Sequence, residues 1–133
     1  MDLKNKDYIK MSIQILTDFK NNLIKFFDEL VEQFPSEGDL VIIRILLKDR
    51  IPIHDVMTYF IREILADKPK IKARDDTFFT EGKSLFGMLP DDQANTFKRI
   101  WRSPQLDKDD RIVIWQWTDL FVALSEKYQK SLN

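Results

Sequence analysis

The sequence has no cysteine, one histidine and three glycines among its 133 residues. Without cysteine the chain can form no disulfide, no thiolate nucleophile and no cysteine-ligated metal site. A single histidine, His54, excludes any metal site that needs two histidines and leaves one histidine that could act as a base. Three scattered glycines cannot form a glycine-rich phosphate-binding loop. These absences exclude several large classes of enzyme.

The sequence also lacks an excess of charge of one sign and any long apolar run. The formal net charge is −1, so no overall field attracts the chain to nucleic acid or to a membrane surface. No apolar run approaches the roughly 20 residues that span a bilayer. The first seven residues are too charged to lead a signal peptide. We therefore expect a cytoplasmic protein with no membrane partner.

Large apolar residues are abundant, and their spacing is helical. Hydrophobic residues make up 44% of the chain, with ten Phe and three Trp. Steps of three and four residues predict a first helix over residues 7–34, which ends at Pro35. Similar patterns predict helices over residues 40–49 and from Pro52 to about Pro69. No strand signal exists that could pair with the apolar run at residues 40–47, so a helix is preferred there.

The second half of the chain continues the pattern. A charged loop with one helical turn is expected over residues 70–82, followed by a short helix over residues 83–89. Pro90 opens a further helix, and Asp107 caps a last one that reaches about Lys130. The sequence thus predicts one all-α domain over residues 1–133. It is an irregular bundle of five or six helices, in which the first and last helices are longest and the aromatic-rich last helix is central.

The sequence gives little support for a catalytic site or a metal-binding site. Asp55 adjoins His54, but consecutive residues on a helix do not face each other, so His54 is interpreted as a surface histidine. Asp107, Asp109 and Asp110 lack the glycine and distal glutamate of a calcium loop and are typical of a helix N-terminus. We predict no catalytic residue, no metal and no cofactor, and a protein that is not an enzyme.

The tryptophans are the candidate partner-binding residues. Trp115 and Trp117 are two residues apart, so on a helix they point about 200° apart. Both can be buried only if the last helix is enclosed on two sides. Otherwise one of them is exposed, and an exposed tryptophan is a frequent interface hot spot. Trp115, Trp117 and Trp101 are therefore the predicted contacts to another protein or to a second copy of the chain.

Two basic segments give an alternative. Residues 68–74 contribute Lys68, Lys70, Lys72 and Arg74, and residues 98–102 contribute Lys98, Arg99 and Arg102 around Trp101. Basic side chains beside an aromatic ring can bind phosphates and stack on bases. Acidic neighbours weaken this interpretation, which requires the two segments to converge on one face.

Several motifs together resemble a family. Glu29-Leu30-Val31-Glu32-Gln33-Phe34-Pro35 is followed by Asp75-Asp76-Thr77-Phe78-Phe79, Lys98-Arg99-Ile100-Trp101, Ile114-Trp115-Gln116-Trp117 and Leu124-Ser125-Glu126-Lys127-Tyr128. This order is similar to that of small helical proteins of nucleocytoplasmic large DNA viruses, the giant viruses. The resemblance covers nearly the whole chain. It implies a protein of the host cytoplasm, the viral factory or the virion, and it carries no activity and no functional residue.

Two other helical families fit less well. Viral cell-death regulators with a Bcl-2-like bundle carry Asn-Trp-Gly-Arg, which does not occur here. Helix-turn-helix DNA readers need a basic recognition helix. The helix pair at residues 40–49 and 52–66 has suitable lengths, but the second helix bears Asp55 and Glu63. The sequence therefore favours a non-enzymatic structural or protein-binding role, either scaffold or adaptor.

Overall fold

The structure, a computed structural model, describes residues 3–81 and 85–132. Over these residues every regular element is helical, in six continuous runs. The runs are α1 (Leu3–Gln33), α2 (Gly38–Ile45) with the π-helical turn Leu46–Arg50, α3 (Ile53–Tyr59) with its continuation to α4 (Lys68–Lys72), α5 (Thr77–Thr80), α6 (Asp91–Trp101) and α7 (Lys108–Ser131). This confirms the all-α irregular bundle, with the first and last helices longest.

Helices α1 and α7 form the antiparallel pair on which the bundle is built. Gln33 at the end of α1 donates a hydrogen bond to Asp110 at the start of α7. At the opposite end, the hydroxyl groups of Ser12 and Ser131 lie 2.7 Å apart. Between these two contacts the inner faces of both helices are lined with large apolar side chains, since their apolar residues recur at helical spacing.

Phenylalanine rings fill the space between α1, α7 and the α3 run. The Phe121 ring lies 5.9 Å from Phe19, 5.7 Å from Phe26 and 6.2 Å from Phe60, mostly in edge-to-face orientations. All four side chains are essentially inaccessible to solvent. Aromatic pairs at these distances add to the stabilisation that burial of their surface provides. The core therefore depends on α7, as the predicted central position of the last helix requires.

The middle of the chain departs from the predicted boundaries. Pro69 does not end the third helix, because the chain passes through a π-helical turn and a 3-10 turn and restarts as α4, where proline occupies the first turn. A proline there loses no hydrogen bond, since the first amides of a helix have no partner within it. Arg74, with φ of 54°, ends the run.

The next segments are only partly as expected. The predicted helical turn is α5, and it is held by the buried rings of Phe78 and Phe79. The short helix predicted over residues 83–89 is not formed at residues 85–88, which adopt turns, and its start lies outside the described residues. Leu85 and Phe86 are nevertheless buried, so apolar burial fixes this segment without a regular helix.

The capping box at the start of α7 gives a first prediction. The Asp107 carboxylate accepts from the Asp110 amide at 2.8 Å, and Asp110 accepts from the Asp107 amide at 3.0 Å. Asp107→Ala leaves helix amides without a partner, so we expect a loss of about 1 kcal/mol in the free energy of unfolding. Urea denaturation measures it. Asp109→Ala, in the same turn but outside the box, is the control, and an equal loss in both variants would contradict the assignment.

Candidate functional site

Trp101 and Trp115 belong to the core. Their exposed fractions are 2% and 6%, and both rings pack on Phe79, at 4.2 and 4.6 Å between centroids. The guanidinium groups of Arg74 and Arg111 cover the outer faces of Trp115 and Trp101. The prediction that these two tryptophans contact a partner is corrected accordingly, because α5 and α6 enclose this side of α7.

Trp117 points to the other side of α7 and is only half-buried. Its ring stacks on Phe121 at 5.9 Å, and its indole nitrogen donates to Glu29 Oε2 at 3.0 Å. Val113 and Leu120, one turn before and one turn after it, are exposed. Together with Gln116 they surround a shallow depression of about 240 Å³. We call Val113, Gln116, Trp117 and Leu120 the Trp117 stripe.

Acidic groups stand at the α7 N-terminal end of the Trp117 stripe. Glu29 and Asp110 line a second depression of about 180 Å³ beside Trp117, and exposed Asp109 lies one turn before Val113. The hydrogen bond from the Asp107 amide, helped by Gln33, holds the pKa of Asp110 below its usual range. The carboxylate is therefore ionised at neutral pH, and this end of the stripe is negatively charged.

A second apolar surface lies at the opposite end of the pair, where α1 outruns α7. With 31 residues against 24, α1 is about 46 Å long and α7 about 36 Å, at 1.5 Å per residue. Since Ser12 meets Ser131, residues 3–11 of α1 extend past the end of α7. A groove of about 570 Å³ opens there, which we call the end groove; it is lined by Tyr8, Ile9, Ser12, Ile13, Leu16, Tyr128, Ser131 and Leu132.

The end groove exposes large apolar side chains that nothing in the described chain covers. Ile9, Ile13 and Leu132 are 59%, 58% and 60% exposed, and Tyr8 is 50% exposed. Ile9 and Ile13 continue the apolar stripe by which the sequence predicts α1, and such a stripe ordinarily faces a neighbour. Spacing along α1 carries no information on where its neighbours end, so this surface was missed.

Lysines surround the end groove. On α1, exposed Lys6 lies one turn before Ile9, and exposed Lys10 lies one turn before Ile13. On α7, exposed Lys127 lies one turn before Ser131, and Lys130 is in the last turn. The acids among them are Asp7 on α1 and Glu126 on α7, which lies one turn before Lys130 and pairs with Lys68. Because residues three or four apart are neighbours on a helix, the rim is positively charged.

Exposed isoleucine also occurs away from the α1–α7 pair. Val41, Ile42 and Ile45 on α2 are between 43% and 47% exposed, while Leu40, Ile43 and Leu47 are buried. The apolar run at residues 40–47 is therefore a helix, as predicted, and it is buried on one face only.

The basic segments are largely engaged within the chain. Lys68 pairs with Glu126 at 2.8 Å. The two ends of the Arg74 guanidinium donate to both oxygens of Asp119 at 2.8 and 2.6 Å, which raises the pKa of Arg74. Arg99 pairs with Asp39 at 3.1 Å, and Arg102 donates to a backbone carbonyl at 3.2 Å. Hydrogen bonds are the main cause that lowers the pKa of Asp75 and of Glu126, and the nearby Lys70 and Lys72, respectively, help to lower it. Neither these two lysines nor Lys98 forms a direct ion pair within the described residues.

These two segments do adjoin a common element. Residues 68–74 lead into α5, and the α6 residues of the second segment pack against the same helix, with Arg102 bonded to Thr80. The side chains nearest to α5 are nevertheless those already paired or covering a tryptophan. The segments therefore meet, but not as a surface of unpaired cations.

His54 lies on the surface. Its side chain is 64% exposed, and Nδ1 is 3.9 Å from Asp55 Oδ1, beyond hydrogen-bonding distance. An open depression of about 450 Å³ adjoins it, lined also by Tyr59, Arg62 and Gly87. Within residues 3–81 and 85–132, no three metal-ligating side chains lie together.

No protein-family model, curated protein or solved structure matches this chain. The resemblance to giant-virus proteins therefore stays a prediction. Within the part of the chain that the structure describes, the helices lack a stretch with the length and apolarity that a bilayer crossing requires.

The burial of Trp115 gives a second prediction. Trp115→Ala empties a packed aromatic cluster, so we expect a loss of about 3–5 kcal/mol in the free energy of unfolding. Leu120→Ala, on the exposed side of the same helix, should change it by less than about 0.5 kcal/mol. Urea denaturation compares the two variants. A nearly neutral Trp115→Ala would mean that this tryptophan is on the surface after all.

A third prediction concerns Gly87. A Cβ atom built on Gly87 would overlap the hydroxyl of Tyr59. Because Tyr59 is buried and cannot swing away cheaply, we expect Gly87→Ala to cost about 1–3 kcal/mol of stability. The penalty should shrink when it is measured in a Tyr59→Phe background. Gly38→Ala, which meets open space, is the control and should be neutral or stabilising by up to about 1 kcal/mol.

Proposed function

We propose that this chain is a non-enzymatic structural or protein-binding domain, which acts as a scaffold or adaptor. The observation that carries the proposal is the end groove, a concave surface of exposed apolar side chains formed by α1 and α7. Ile9, Ile13, Leu132 and Tyr8 together expose on the order of 400–500 Å², the size of the largest apolar patch on a typical monomeric protein, which is often a functional surface.

The distribution of polar groups supports the same proposal. The strongest polar contacts are ion pairs between helices, such as Arg74 with Asp119 and Lys68 with Glu126. These contacts hold α4 against α7, and they do not gather around a cavity. An active site needs a base, a nucleophile and an orienting group in mutual reach. Among the described residues, the nearest carboxylate to His54 is that of Asp55, at 3.9 Å and beyond hydrogen-bonding distance.

The order of motifs that resembles giant-virus proteins suggests where such a domain acts. We propose the host cytoplasm, the viral factory or the virion as its location, and another protein or a second copy of the chain as its partner. Assembly of a virion or a factory requires many protein contacts and little chemistry, which agrees with a bundle whose distinctive surfaces are apolar.

Association with nucleic acid is the second candidate. It is favoured by the way that residues 68–74 and 98–102 both adjoin α5. It is weakened because Lys68, Arg74 and Arg99 already pair with carboxylates. Phosphate contacts would have to come from Lys70, Lys72 and Lys98, and binding would fall steeply as salt rises.

Capture of partners from source cells tests the proposal. We expect the tagged chain to retain protein partners after nuclease treatment, and Ile13→Glu to lose them because it places a charge in the end groove. Ile42→Glu is the control and should retain them, because it changes an isoleucine on α2 that is also exposed, 43% against 58% for Ile13. Mass spectrometry of the captured proteins gives the readout.

Other outcomes of this experiment count against the proposal. Partners that disappear on nuclease treatment would replace it with nucleic-acid association, and Lys70→Glu with Lys72→Glu would then be the test. Retention of every partner by Ile13→Glu would reject the end groove as the binding surface.

A further inference from the structure

We infer that the chain associates with itself head to tail, the Trp117 stripe of one copy occupying the end groove of the next. The inference rests on the proposed protein-binding function and names its partner as a second copy of the chain. Three observations on the described residues carry it: the spacing of the stripe, the opposite charges of the two surfaces, and their separate positions along the α1–α7 pair.

The Trp117 stripe has the spacing of a helix that binds in a groove. Val113, Gln116, Trp117 and Leu120 stand at positions i, i+3, i+4 and i+7 of α7. This is the spacing of the anchors that an amphipathic helix lays into a hydrophobic groove, and here Val113 and Leu120 are the exposed side chains, with Trp117 half-buried between them. The end groove is such a site, since its walls are the extension of α1 and the last turn of α7.

The charges on the two surfaces are complementary. Glu29, Asp109 and Asp110 give the stripe a negative end, whereas Lys6, Lys10, Lys127 and Lys130 give the groove a positive rim. Opposite potentials across an interface favour one orientation and speed up encounter. Stripe against groove brings acids to lysines and apolar side chains to apolar side chains.

The same charges disfavour two-fold pairing. A groove placed against a groove would set lysines against lysines, and a stripe against a stripe would set carboxylates against carboxylates. Like charges held together at an interface are a cost that selects against the wrong partner. The interface that the charges favour therefore uses two different surfaces, one from each copy.

A copy cannot satisfy both surfaces with itself. Val113 and Leu132 are 19 positions apart on the same chain, about 28 Å at 1.5 Å per residue along a helix. Each copy thus offers one stripe and one groove at separate places. Such a heterologous contact repeats from copy to copy and generates a ring if it closes or an open filament if it does not.

Two blocked variants test this arrangement. Ile13→Glu places a charge in the groove and leaves the stripe intact, whereas Leu120→Glu places a charge in the stripe and leaves the groove intact. Both residues are exposed, so we expect both variants to fold, and circular dichroism checks this. In sedimentation velocity, the wild type should grow beyond a dimer as concentration rises. Each variant alone should be monomeric, its self-association weakened by more than about tenfold. An equimolar mixture should form a heterodimer and nothing larger.

Charge variants give an independent readout that does not depend on packing. Lys10→Glu should weaken association, Asp109→Lys should do the same, and the mixture of the two should recover it. Association of the wild type should weaken as sodium chloride rises from about 50 to 500 mM, because exposed charges are screened. Ile42→Glu, the exposed isoleucine on α2, should assemble as the wild type does.

The results that overturn the inference are distinct. A wild type that stays monomeric up to about 1 mM rejects self-association, and so does a mixture of blocked variants that forms no heterodimer. A dimer formed by one blocked variant alone means two-fold pairing instead. If the monomeric chain still captures a partner through Ile13, the proposed function stands and only self-association falls. If it captures none, both fall.

Discussion

The packing of α7 against α1 is the constraint on which the rest of the structure depends. Phe121 touches rings from α1 and from the α3 run at once, so its position fixes how three helical runs meet. On the other flank of α7, the α5 and α6 helices close over Trp115. Because α7 is enclosed on both flanks, its remaining apolar residues have no place inside and form the outward stripe around Trp117.

The two tryptophans of α7 illustrate what helical spacing predicts and what it leaves open. Their 200° separation required either a doubly enclosed helix or an exposed ring. The structure combines the two answers, with Trp115 buried and Trp117 half-buried over Phe26 and Phe121. Helical spacing shows that the two tryptophans face opposite sides of α7. Which of them is buried depends on α5, a helix of four residues whose position no local pattern specifies.

Helix existence was predictable here because the apolar period is long, and the capping box at Asp107 marked the start of α7 to the residue. Pro69 misled because a proline looks the same in a loop and in the first turn of a restarting helix. The end groove was unpredictable for a different reason. Ile9 and Ile13 have the spacing of core residues, and they are exposed because α7 ends beside Ser12. Whether Ile9 and Ile13 are buried depends on where α7 ends, which the spacing of residues along α1 does not specify.

The mismatch in length between α1 and α7 links the fold to the proposed assembly. A stable bundle would ordinarily cover the inner face of its longest helix, since exposed Ile and Leu favour non-specific association. Here the uncovered face is bordered by lysines, and the Trp117 stripe, which begins beside carboxylates, lies in the N-terminal half of α7, away from the groove. Charge placed in this way restricts which surface can cover the groove. In the proposed assembly, a second copy of the chain supplies the contact that covers the overhang of α1, and the charges around the overhang select for that contact.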